Sequence, residues 1–191
     1  MRRAFVVVLL VVAACANDGR TLQTPSPGAS APPLPPSSVP SGSVAPLTLS
    51  SSAFDNGAAI PTQYTCDGAG VSPPFAWGSV PQGTVELVLT VTDPDANGFV
   101  HWVVSGLDPT VQAIPEGTIP TGAVQAQNDG GSTGWTGPCP PKGAPHHYVF
   151  NLYALTGHPA ITAGMKGRDA IKAIENTPGV LATITGTYQR V

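Results

Sequence analysis

The chain is short of charge, cysteine and long apolar stretches. Charged residues make up 10% of the 191 positions, with eight Lys and Arg against eleven Asp and Glu. Past residue 52 the basic residues are Lys142, Lys166, Arg168, Lys172 and Arg190, outnumbered two to one by carboxylates. Without a basic stripe to neutralise phosphates, this composition excludes a nucleic-acid partner. The apolar run that opens the chain, of about 11 residues, is far shorter than the roughly 20 that a membrane-crossing helix needs. Only three cysteines are present, Cys15, Cys66 and Cys139, and none lies at the short spacing of a dedicated zinc motif. No internal repeat is evident.

What is there begins with Arg2 and Arg3, the apolar run, and the small residues Val12-Ala13-Ala14 before Cys15. That order reads as a signal peptide over 1–14. The tetrad ending in Cys15 resembles a lipobox, whose cysteine thiol takes a diacylglyceryl group before cleavage. Arg2-Arg3-Ala4-Phe5 also resembles a twin-arginine signal, so the export route stays open. Residues 15–52 then read as a lipidated cysteine followed by a tether rich in Pro, Ser, Ala and Thr, which cannot bury enough apolar surface to offset its ordering entropy. As a coil it would span on the order of 30–40 Å, and up to ~110 Å as extended polyproline. The expected location is extracytoplasmic, anchored to a cell membrane through lipid.

Residues 53–191 match one ordinary domain. Val85–Thr92 is β-branched and partly alternating, as a strand buried mainly on one face should be. His101–Ser105, Tyr148–Leu155 and Leu181–Tyr188 read as further strands. Gly167–Asn176 reads as a helix, with Ala170, Ile171, Ala173 and Ile174 on one side before Pro178 and Gly179. The architecture is therefore mostly β. Cys66 and Cys139 both fall in Gly/Pro-rich loops, and an exported chain pairs such thiols, so a Cys66–Cys139 disulfide is predicted.

Several residues could carry chemistry. Asp93-Pro94-Asp95-Ala96 places two carboxylates in a Pro-fixed turn at a strand end, a pattern that is also an ordinary turn starter. His101-Trp102 opens the next strand, and His146-His147-Tyr148 enters another directly after the stiff loop Gly137–Gly143. Imidazoles and a phenol at strand entrances suit protonation-dependent binding. Gly130-Gly131-Ser132-Thr133-Gly134 has the spacing of a nucleophile elbow, but Asn128-Asp129 before it and Gly137-Pro138 after it supply neither the strand nor the helix that an elbow requires. His101, His146 and an aspartate have the chemistry of zinc ligands without the spacing of a metal motif. No metal and no cofactor is expected. His158, Trp77 and Trp135 read as surface or packing residues.

The motifs Asp93-Pro94-Asp95-Ala96, His101-Trp102, Gly137-Pro138-Cys139-Pro140-Pro141 and His146-His147-Tyr148-Val149-Phe150 stand in the order seen in the phosphatidylethanolamine-binding protein family. Ile60-Pro61, Tyr64–Gly68 and Ser72–Trp77 resemble its bacterial, Raf kinase inhibitor-like branch. The similarity runs from about Phe54 to Tyr188. It implies a β-sandwich with a large antiparallel sheet and one or two short helices, and a small pocket for phosphate-like or carboxylate-like anions. On this resemblance Asp93, Asp95, His101, Pro141, His146 and Tyr148 line the pocket. The aspartates, which oppose an anion, would orient or protonate the histidines. Two positions depart from the family: Asn97 replaces a second proline, and His147 replaces an arginine, removing that residue's salt bridge.

The function this implies is an envelope lipoprotein that binds a small anionic ligand or a lipid head group, and not an enzyme. The alternative is an inhibitor or regulator of an extracytoplasmic protease or other protein partner, acting through the loop Asp129–Pro141. The sequence does not fix the physiological ligand or the oligomeric state.

Overall fold

A computed structural model describes residues 45–191. The segment read as a signal peptide, Cys15 and most of the segment read as a tether lie outside the described residues. The main sheet has five antiparallel strands in the order β6-β4-β3-β7-β8, formed by β3 (Glu86–Asp93), β4 (Phe99–Leu107), β6 (Val124–Gln125), β7 (His146–Leu155) and β8 (Gly179–Tyr188). Over one face lies a smaller sheet of β1 (Leu49–Ser50), β2 (Phe75–Trp77) and β5 (Ala113–Ile114). Strand β1 falls inside the segment read as tether. Leu49 is buried there and pairs with Trp77, so ordered chain begins a few residues before the domain start expected at 53.

The principal core fills the space between the sheets. Leu87, Leu89 and Val91 of β3, Trp102 and Val104 of β4, and Phe150 and Leu152 of β7 meet Phe75, Trp77 and Ile114 from the small sheet. Phe150 packs against Phe54 and Phe75 with ring centroids 5.3 and 5.2 Å away, tilted as aromatic quadrupoles prefer. Removing such a ring from a closed core costs about 3–5 kcal/mol.

Strand β3 is covered on both faces, not mainly on one. It runs between β4 and β7, and the helix α1 (Gly167–Glu175) lies across the other side, where Val88, Val100 and Val103 meet Ala170 and Ile174. Ala170 and Ile174 stand four residues apart and share one helix face. Gly167 is buried against this sheet, and a Cβ there would come within 2.7 Å of Val100 Cγ1. The four long strands and the helix thus arise where the hydrophobic pattern is strong, each within two residues of the expected bounds, β4 being longer by two at both ends.

One irregularity of the main sheet decides where the candidate site lies. Val91 pairs with Trp102 while Thr92 pairs with Val100, which leaves His101 as the extra residue of a β-bulge. A bulge interrupts the alternation of faces and re-aims a side chain. It turns His101 toward Tyr148 of β7, the rings meeting edge to face at 5.2 Å.

Candidate anion-binding cleft

The cleft opens where β3 ends and β7 begins. Asp93, the last residue of β3, accepts a hydrogen bond from the Ala96 amide through Oδ1 and so caps the 3-10 turn Pro94–Ala96. The turn closes at Asn97 with φ +54°, a left-handed conformation that asparagine tolerates and proline's fixed φ forbids. The departure from the family pattern at Asn97 thus has a local physical reason.

His146 begins β7 and its Nδ1 donates to Asp93 Oδ2 at 2.7 Å. His101, 5% exposed, donates from Nδ1 to the Thr136 carbonyl at 2.8 Å. In both rings Nε2 is the nitrogen left free. Tyr148 is wholly buried, and its hydroxyl has no hydrogen-bond partner. Such orphans are costly unless something completes them.

The far wall is the loop Thr136–Pro141, held in two ways. Cys139 is disulfide-bonded to Cys66, with the Cα atoms 5.4 Å apart, as predicted. The Cys66 amide also donates to the Pro138 carbonyl at 3.0 Å. Gly137 passes so close to Tyr64 and Thr65 that a Cβ would lie 2.8 Å from the Tyr64 carbonyl oxygen. The cleft volume is about 150 Å³.

Of the six residues expected to line the pocket, Asp93, His101, Pro141, His146 and Tyr148 do so. Asp95 does not line it. Its Oδ2 accepts from the His147 amide at 2.7 Å and from His147 Nδ1 at 2.8 Å, on the exposed side of the turn. These bonds, the backbone one first, hold the Asp95 carboxyl below its usual pKa. His147, in the arginine's place, therefore still pairs with an acid. Phe99, Thr136 and Cys139 also line the cleft. Of these only Cys139 stood in a motif read from sequence; Thr136 contributes a backbone carbonyl, which leaves no sequence signal.

Burial pushes the His101 pKa down, opposed by the Thr136 carbonyl and by the Asp93 charge. Burial pushes the Tyr148 hydroxyl strongly up, with Asp93 adding to the shift, so it stays protonated as a donor. Ser132 stands in a tight loop where its amide donates to Asn128 Oδ1, with no strand-to-helix turn around it. Among the described residues no three His, Cys, Asp or Glu side chains gather as metal ligands.

A sheet sandwich with a small cleft at a strand end, its few polar groups set among apolar ones and walled by a proline loop, defines a class of binding protein. The phosphatidylethanolamine-binding protein model matches residues 50–189, and the chain belongs to that family. It is 42% identical over 153 residues to "Putative lipoprotein LppC" of Mycobacterium tuberculosis, covering 78% of this chain and 76% of the relative. A protein of Methanothermobacter thermautotrophicus is 38% identical over 151 residues, covering 75% of this chain and 99% of its own length. The crystal structure of Escherichia coli YbcL, described as a member of the mammalian family, superposes with TM-score 0.73 at 32% identity, over 77% of this chain and all of that one.

Proposed function

We propose that the chain binds a small phosphate-like anion or head group in the cleft between Asp93, His101, His146 and Tyr148, held at an envelope surface by a lipid on Cys15. The observation that carries this reading is the convergence of two imidazoles with free Nε2 atoms and one unpartnered buried hydroxyl on a single cleft. The cleft, about 150 Å³ and open to solvent on one side, has room for a small anionic group. The lipoprotein name of the mycobacterial relative supports the anchor, and no helix among the described residues is long and apolar enough to cross a membrane.

Thermal unfolding against phosphate, nucleotides, phosphorylated amines and head groups tests the reading. A ligand at a hundred times its dissociation constant stabilises the folded state by about 2.7 kcal/mol. The shift should vanish in His101→Ala and in His146→Ala; normal binding by both variants would refute the site. A second reading, regulation of an extracytoplasmic protease, draws support from the exposed stretch Asp129–Thr133 at the start of the cleft loop. Slowing of a protease in trans, insensitive to both histidine variants, would favour it.

A further inference from the structure

Strand β4 pairs with β6 at Val104 and Ser105, and the rest of its outer edge, back to Val100, is closed by the loop that follows β6. The Ala126 amide donates to the Val103 carbonyl at 3.1 Å, the Thr136 amide to the His101 carbonyl at 3.1 Å and the Asp129 amide to the Val100 carbonyl at 2.9 Å. Asp129 Oδ2 in turn accepts from the Val100 amide at 3.1 Å. A single loop residue thus satisfies both backbone groups of Val100, as a neighbouring strand would. Val100 immediately precedes His101, the extra residue of the bulge.

Asp129 is itself held. Arg168, in the first turn of α1, brings Nη2 to within 2.6 Å of Asp129 Oδ2. Its Nη1 donates to the carbonyl of Asn97, where the turn after β3 closes, at 3.4 Å. The guanidinium therefore joins helix, turn and loop at the point where β4 is irregular. The Asp129 side chain is 20% exposed, so water screens this pair less than it does Lys172 and Asp169, which meet at 3.2 Å with both side chains more than half exposed.

We propose that Asp129, fixed by Arg168, is a positioning residue for His101. It holds the backbone beside the bulge, which sets the direction of the ring, and it places a carboxylate charge near the imidazole. This deepens the anion-binding reading above and rests on it, but adds no ligand contact, since neither Asp129 nor Arg168 lines the cleft. The charged and titratable groups that face His101 are Asp93 on β3, His146 and Tyr148 on β7 and Asp129 in the loop, with Arg168 of α1 behind Asp129. Burial lowers the His101 pKa, and the Thr136 carbonyl and then the Asp93 and Asp129 charges oppose it. Deleting the Asp129 charge therefore lowers the pKa further, whereas deleting the Arg168 charge, which offsets that of Asp129, raises it. A merely structural pair behaves differently: loosening the loop in either variant would let water reach the ring and raise the pKa in both.

The test uses the full-length oxidised protein in an uncharged detergent, with the His101 ring titrated by NMR and the affinity for inorganic phosphate measured by calorimetry. Asp129→Asn, which keeps an acceptor for the Val100 amide, should lower the His101 pKa, and Arg168→Met should raise it. Arg168→Lys restores the ion pair and should return the pKa toward the wild type. Asp129→Ala removes the charge-assisted acceptor as well and should weaken phosphate binding about tenfold. Lys172→Gln, which breaks the exposed pair, should leave both measurements at their wild-type values. A His101 pKa that is unchanged or raised in Asp129→Asn overturns the inference even where phosphate binds, as does undiminished phosphate affinity in folded Asp129→Ala. Opposite shifts in Asp129→Asn and Arg168→Met, with no phosphate binding by the wild type, would support the positioning pair and refute the anion reading alone.

Discussion

Strand β3 carries a buried carboxylate at each end, and each is bonded to a histidine, yet the two ends are chemically opposite. At its start Glu86 accepts from Ser105 Oγ at 2.6 Å, from the Gly106 amide at 2.8 Å and from His158 Nδ1 at 2.8 Å. Every partner is protein, and the His158 side chain remains 75% exposed. At its end Asp93 binds Ala96 and His146, while beside it His101 and His146 each keep a free ring nitrogen and Tyr148 an unpartnered hydroxyl. A carboxylate–histidine pair is thus common to a closed structural knot and to an open cleft. What marks a binding site is the hydrogen-bonding capacity left unused around the pair.

The comparison can be broken at several points. The largest effect should come from the clamp on the cleft wall. Cys66→Ser with Cys139→Ser frees a loop of 73 residues, which in the chain-entropy model costs about 4 kcal/mol. Denaturant unfolding should show that loss, and ligand binding should weaken as the Thr136–Pro141 wall loosens. Glu86→Ala leaves the Ser105 hydroxyl and the Gly106 amide without their acceptor and should cost about 2–4 kcal/mol. Its ligand-induced shift should be unchanged, because the closed end does not touch the cleft.

Tyr148→Phe sharpens the contrast. It deletes a buried hydroxyl that satisfies nothing within the protein, so stability should change by less than about 1 kcal/mol while phosphate affinity falls about tenfold or more. A stability loss of several kcal/mol would show that the hydroxyl is structural after all.

The pH response separates the two ends further. Burial lowers the folded-state pKa of His101 below the unfolded value near 6.5, so the unfolded chain binds the proton first. The His101 contribution is complete above pH about 6.5 and is lost as pH falls from there toward the folded-state pKa. Acid titration of stability should be shallower in His101→Asn over that window. The smallest effect is expected at His158→Ala, within about 0.5 kcal/mol, since that imidazole is mostly in water.

Much of this was legible in the sequence where a signal extends over many residues. The strand patterns of β3, β4, β7 and β8 and the helix with Ala170 and Ile174 follow from periodicity, and the Cys66–Cys139 pair from compartment and loop placement. Strands β1, β2, β5 and β6 are two or three residues long, too short for any period to register. The two-faced burial of β3 was hidden because it depends on α1 docking across β4. Asp93 and Asp95 sit two residues apart in one turn and looked equivalent; a turn sends neighbouring side chains in different directions, and Asp95 went to His147 instead of the cleft.

By itself the sequence determined the mostly β architecture, the family and the residue types of the candidate site, because these rest on local patterns and motif order. The tertiary structure decided which of them act together. The bulge that turns His101 toward Tyr148 exists only in the pairing of β3 with β4, and the tautomer of each histidine is set by the partner that the fold delivers to Nδ1. Hydrogen-bond capacity is a balance between groups distant in sequence, so which polar atoms remain free for a ligand is known only when all the others have found partners.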